Sequence, residues 1–217
     1  MIKEMIVELK TIDENTWGAY IFKRDPIGDR VTEKEKEDII GKAGECGRLE
    51  AAELKDKYGD RPCREYAGCL GLTISRYKDC DSKDYILFAR FNSPDKISIY
   101  MDSVNKAEEI VKRENLSGLL DGVKIEDVLT AHEMFHFIES RDKEIYTRKK
   151  KIKLWNIGPI KYTSGLVAAG EIAAMAFAME LLNLSYYPGL FDILLLWPHD
   201  ENKAKMLYEE VIAMKGV

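Results

Sequence analysis

The sequence has little that would take it to a nucleic acid or into a membrane. Its 33 lysines and arginines are outnumbered by 38 aspartates and glutamates, a net charge of −5. Such a field disfavours DNA, RNA and acidic membrane surfaces, and leaves a protein or peptide as the expected partner. No apolar run is both bilayer-long and free of charge. The nearest, SGLVAAGEIAAMAFAMELLNL at 164–184, contains Glu171 and Glu180, and a carboxylate at mid-span costs about 2.5 to 3.5 kcal/mol on insertion scales. A buried helix of a water-soluble domain is expected there. MIKEMIVELK is charged at positions 3, 4, 8 and 10 and lacks an apolar core of signal-peptide length, so export is not expected and a cytoplasmic location is. Cysteine is scarce too. Cys46, Cys63, Cys69 and Cys80 form no CxxC pair and are expected to be buried free thiols.

Repeats, low-complexity tracts and domain-separating linkers are also missing. A chain of 217 residues, 46% hydrophobic, can bury a full core without disulfides. We expect a main domain over 46–217, with 1–45 as a β-rich or irregular appendage packed on it. IVEL and WGAYIF read as strands about the turn TIDENT. Thr32 with Glu35 three residues on is a capping-box pattern opening a helix over about 32–58, which glycines 41, 44 and 47 are expected to break or weaken. No helix-turn-helix is expected in these first 45 residues. A short helix through REYAGCL precedes three β-prone runs, LTISRY, YILFARF and KISIYM, the last two forming a hairpin about NSPDK. From Ser103 onward almost only helix is expected: 104–115, 125–141, 164–183, 190–197 and 201–214. The fold class is α+β, a small antiparallel or mixed sheet followed by a helical bundle.

Histidine is the rarest chemistry of all. Of three in the chain, His132 and His136 fall four apart in LTAHEMFHFIES, with Glu133 between them. Ile125, Val128, Leu129, Phe135 and Ile138 recur at threes and fours, so the segment reads as a helix with one stripe toward a core. Residues i and i+4 share a helix face, which aims both imidazoles at one spot. His-Glu-x-x-His on a helix is the zincin signature: the histidines ligate Zn²⁺ and the glutamate acts on the attacking water. The bland alternative is a pair of hydrogen-bonded histidines beside an exposed Glu133.

A catalytic zinc commonly takes three protein ligands. Glu171 is the candidate third, an acid on an otherwise apolar helix face, where an unpaired carboxylate is costly. Its alternative is a salt bridge to a lysine or arginine. Glu180, nine residues on, falls on roughly the opposite face and is expected to be solvated.

HEMFH followed 35 residues later by EIAAMAFAMELL resembles the ImmA/IrrE family of metallopeptidases, in which HExxH precedes a helix of pattern ExxAxxFAxxLL. Glu171, Ala174, Phe177, Ala178, Leu181 and Leu182 fall in register with it. ELKDKYG, AGCLGLTIS and KISIYMDSV resemble the family's upstream run, so the likeness covers about 45–185. Met175 departs, standing where the family often has Asn, and NLSYYP replaces the usual short ending. The resemblance implies a zincin-like, gluzincin-type fold and one zinc per chain. His132, His136 and Glu171 would be the ligands and Glu133 the catalytic base. It implies cleavage of a specific protein substrate, in several members a helix-turn-helix repressor. YAGCLG faintly resembles the EGCLS segment of peptide deformylases, which would make Cys69 a rival third ligand, although that family's GxGxAAxQ element is missing and Ala67 replaces its glutamate. A non-catalytic zincin-like module that holds metal or a partner is the other alternative.

Tyr162, Tyr186, Tyr187 and His199 are candidate oxyanion helpers. The hairpin can receive a peptide by strand addition. RKKKIK at 148–153 reads as a solvated loop bordering the cleft, or in a sharper reading as a lip for an acidic substrate or a nucleic-acid-bound repressor.

Overall fold

The computed structural model describes residues 1–79, 86–157 and 160–215. Along them run α1 (Ile2–Leu9), α2 (Glu14–Lys23), a 3₁₀ turn (Gly28–Arg30), α3 (Glu33–Tyr58), α4 (Cys63–Cys69), β1 (Thr73–Tyr77), β2 (Ala89–Asn92), β3 (Lys96–Tyr100) and α5 (Met101–Arg113). Then come α6 (Ile125–Arg141), α7 (Tyr146–Lys149), β4 (Lys151–Ile157), β5 (Ile160–Gly165), α8 (Val167–Leu181), α9 (Leu190–Leu196) and α10 (Glu201–Ala213). The arrangement is α+β. Cys80 and Tyr85, the first residue of the expected strand YILFARF, lie outside the described residues.

The first 45 residues are helical, which corrects the β-rich expectation. Ile2, Met5, Ile6 and Leu9 are all buried in α1, at intervals of three and four that suit a helix face. In α2, Asp13 caps the start by accepting from Thr16 N at 2.7 Å, and Trp17, Tyr20 and Phe22 are buried. Their aromatic and β-branched character suggested strands, but that preference is mostly a packing preference and yields to tertiary context.

α3 keeps the expected capping box between Thr32 and Glu35. It is not broken, however, and runs 26 residues through position 45. A Cβ on Gly47 would sit 2.0 Å from the backbone oxygen of Ala173. The glycine is therefore a contact surface, letting α3 lie directly on α8.

α8 occupies the centre of the molecule. Ala169, Ile172, Ala173, Ala176, Phe177 and Ala178 are fully buried, and they lie on every side of it. Phe177 packs on Phe135 of α6 with ring centroids 5.9 Å apart. No helix among the described residues is long and apolar enough to cross a membrane. α8 starts at Val167 because Ser164 and Gly165 belong to β5. Its N-terminus is capped from a distance: buried Asp25 accepts from Ala168 N at 2.8 Å and from Ile27 N at 2.8 Å. A carboxylate there satisfies an orphan amide and complements the helix dipole.

The three-stranded sheet has the order β1-β3-β2, with β1 parallel and β2 antiparallel to β3. β2 and β3 are the expected hairpin, in register Phe91 to Ile97 and Ala89 to Ile99. β2 is an edge strand, and its free edge faces α6. The ribbon β4–β5 replaces the loop expected from RKKKIK. Ile152 is buried between exposed Lys151 and Lys153, a strand alternation that the cation run concealed.

Candidate metal centre

Two helices build the site. α6 spans the residues its periodicity predicts, with Ile125, Val128 and Phe135 in the core, and this orientation turns His132 and His136 toward α8. Glu171 lies in the second turn of α8, facing back. His132 Nε2 lies 3.0 Å from His136 Nε2, 3.3 Å from Glu171 Oε2, and Glu171 Oε1 lies 3.4 Å from His136 Nε2.

These four atoms, two imidazole nitrogens and both oxygens of one carboxylate, are the test of whether a metal fits. With zinc–nitrogen and zinc–oxygen bonds near 2.0 to 2.2 Å, the edge of a tetrahedron of ligands is about 3.3 Å. The observed triangle has that size, and two imidazole nitrogens with a carboxylate oxygen are a donor set borderline metals accept. His132, His136 and Glu171 can hold a metal ion. Glu171 keeps 38% of its side-chain surface open, so the triangle faces a cleft of about 820 Å³.

The charges are strongly coupled. Burial pushes the Glu171 carboxyl up, but hydrogen bonds with His132 and His136 outweigh it and hold the group well below the carboxylate range. Burial likewise lowers the His136 imidazole, and the Glu139 and Glu171 carboxylates overcome that and raise it. Asp192 of α9 is pushed up to about 6, chiefly by burial, with His132 lowering and Glu171 raising it.

Glu139 was not foreseen as part of the site. Its Oε2 lies 3.5 Å from His136 Nδ1, the ring nitrogen facing away from the triangle. A Cβ on Gly170 would come within 3.2 Å of Glu139 Oε1, so the glycine leaves room for this carboxylate against α8. The signal was in the sequence: Glu139 falls three residues after His136, on the same helix face.

Glu133 is buried, and its Oε2 accepts from Phe91 N on the edge of β2 at 2.5 Å. The same edge is braced by Phe91 against Phe137 of α6, edge to face at 5.8 Å. Glu133 therefore shares the cleft with the triangle.

The other candidates lie elsewhere. Cys69 ends α4, half-buried, and is not part of the cluster. Cys63 is buried and Cys46 half-buried. Glu180 faces away from the site, its Oε1 3.8 Å from Lys55 Nζ. Among the oxyanion candidates, Tyr186 donates to Leu120 O at 3.0 Å and Tyr187 to Ile172 O at 3.5 Å. His199 pairs with Ser103 Oγ at 3.0 Å, and Tyr162 stacks on Trp155 at 3.8 Å. None of the four lines the cleft.

No family model, curated protein or solved structure matches the chain.

Proposed function

We propose that the protein is a zinc-dependent metallopeptidase of zincin-like, ImmA/IrrE-like type, hydrolysing a peptide bond in a specific protein substrate. The observation that carries this reading is the convergence of His132, His136 and Glu171 with Glu133 in the same cleft. The two Nε2 atoms and the Glu171 carboxylate would hold one zinc. Zinc, when bound, supplies Lewis acidity toward the scissile carbonyl and the attacking water. Glu133 receives the proton of that water on its carboxylate and passes it to the leaving amine. Its burial beside Phe91 and Phe137 keeps bulk water from competing for that proton. Glu139 holds His136 by Nδ1, leaving Nε2 for the metal. The free-edge backbone groups of β2 other than Phe91 N, which Glu133 holds, receive the substrate in extended form. A cytoplasmic setting suits this reading, since Cys46, Cys63 and Cys69 are free thiols as in a reducing compartment. A helix-turn-helix repressor is the candidate substrate that the family likeness brings.

The hydrogen bond from Phe91 N to Glu133 favours a second reading, a non-catalytic zincin-like module in which Glu133 only anchors the sheet to α6. Metal analysis with the variants separates the two. We expect about one zinc per chain, lost in His132→Ala and Glu171→Ala. Glu133→Gln is expected to keep the zinc and lose cleavage by about 10²- to 10⁴-fold. Zinc retained with no cleavage by the unaltered protein against a proteome-derived peptide pool would favour the module.

A further inference from the structure

The walls of the metal cleft carry charged side chains that the triangle does not use. Three cations, Arg90, Arg148 and Lys151, and three carboxylates, Glu133, Glu139 and Glu171, line it. The carboxylates are committed: Glu171 to the triangle, Glu139 to His136 and Glu133 to Phe91 N. Arg148 is committed too, donating to the backbone oxygens of Glu139 at 3.3 Å and Ser140 at 2.9 Å, where it caps the end of α6. Among the described residues, the side chains of Arg90 and Lys151 have no hydrogen-bond or ionic partner, their backbones being paired in the strands.

The two stand on separate sheets, Arg90 on the edge strand β2 and Lys151 at the start of β4. Lys151 Nζ lies over the backbone of Gly165, 3.4 Å from where a Cβ would be, so the ammonium overhangs the approach to α8. Balanced in itself, the cleft turns net positive once a dication is bound. This happens in a chain of net charge −5. The positive character continues outward: from Ile145 through Gly170 the sequence has six cations and no acid.

Cations beside a cleft can meet an anion that arrives with the ligand, and such complementarity gives specificity. Resting on the peptidase reading, we propose that Arg90 and Lys151 select an extended substrate segment carrying aspartate or glutamate side chains close to the cleaved bond. Arg90 offers a planar fork for a carboxylate and Lys151 a mobile point charge. Substrate carboxylates can come from side chains or from a chain terminus, and the test separates these sources.

The zinc-loaded Glu133→Gln protein is titrated with fluorescent peptides of one length. One has three Asp or Glu residues, a second has Ser and Gln in their place, and both have blocked termini. A third is neutral with a free C-terminus. The acidic peptide is expected to bind at least about fivefold more tightly than the neutral blocked one at low salt, with the advantage shrinking as salt screens the charges. Adding Arg90→Gln with Lys151→Gln is expected to erase the advantage at unchanged zinc content, and Lys151→Glu alone to reduce it. Equal behaviour of acidic and neutral blocked peptides, whether both bind or neither does, overturns the proposal. So does an advantage that survives the double substitution, or one shown only by the free C-terminus. Wild-type protein that cleaves neither these peptides nor any in the proteome-derived pool while the charge preference stands would sink the peptidase reading and leave the recognition intact.

Discussion

His136 has carboxylates on both sides, Glu171 at Nε2 and Glu139 at Nδ1. A histidine whose outer nitrogen is held by a carboxylate has its tautomer and ring orientation set before a metal arrives. Under the proposed function, Glu139→Ala is therefore expected to weaken binding of added zinc about 10- to 100-fold, measured by competition with a chromogenic chelator. Glu139→Gln, whose carbonyl oxygen still accepts from Nδ1–H, is expected to recover part of the loss. Equal thermal unfolding of the two metal-free variants would show that the difference is not one of folding. At this scale the metal cluster was legible, because helical spacing puts His132 and His136 on one face, while Glu133 was singled out by the motif between them. Glu171 was legible as an acid with no business in an apolar helix. The deformylase-like alternative rested on a short local likeness, which says nothing about distance: Cys69, at the end of α4, is not among the side chains that converge with His132 and His136.

Helix α3 shows how an element can be read correctly in extent and wrongly in character. Glycine in a helix costs roughly 1 kcal/mol against alanine, so three of them in one stretch suggested a break. The cost is offset by contact with α8, and the glycines are not equivalent. Gly41→Ala, with nothing within 4 Å of the added methyl, is expected to stabilise the protein by about 0.5 to 1 kcal/mol. Gly47→Ala, which drives a methyl into the backbone of α8, is expected to destabilise it by about 1 to 3 kcal/mol. Urea unfolding midpoints check both signs. The ribbon β4–β5 and helices α1 and α2 were missed for opposite reasons. In the ribbon, charge hid an alternation of exposed and buried positions. In α1 and α2, bulky β-formers hid a helical one.

Across the whole molecule, distant segments are tied by single side chains. Asp121, between α5 and α6, accepts from Ser185 N and Ser185 Oγ, both at 2.8 Å, and lies 3.7 Å from Lys10 Nζ. It joins three parts of the chain. Burial raises its carboxyl, but the Ser185 and Lys10 contacts outweigh that and lower it below the ordinary aspartate value. A lowered folded pKa gives stability that is fully present above the unfolded value, near 3.9, and is lost as pH falls through the folded one. Asp121→Asn is thus expected to cost about 1 kcal/mol at neutral pH, discounted for partial exposure. It is also expected to flatten the fall of stability below about pH 4, measured by urea unfolding at a series of pH values. Long-range ties of this kind leave no periodic trace. The α+β class was legible in the order of its elements, whereas the partners of Asp121 and Asp25 depend on how those elements finally meet.

Asp25 carries this furthest. Its carboxylate holds Ala168 N, three residues before Glu171 and within the same opening turns of α8. The end of α8 that carries Glu171 is thereby hitched to a loop more than a hundred positions upstream in the chain. Loosening that loop would withdraw the anchor from the first turn of α8, so the placement of Glu171 depends on a residue that does not line the cleft.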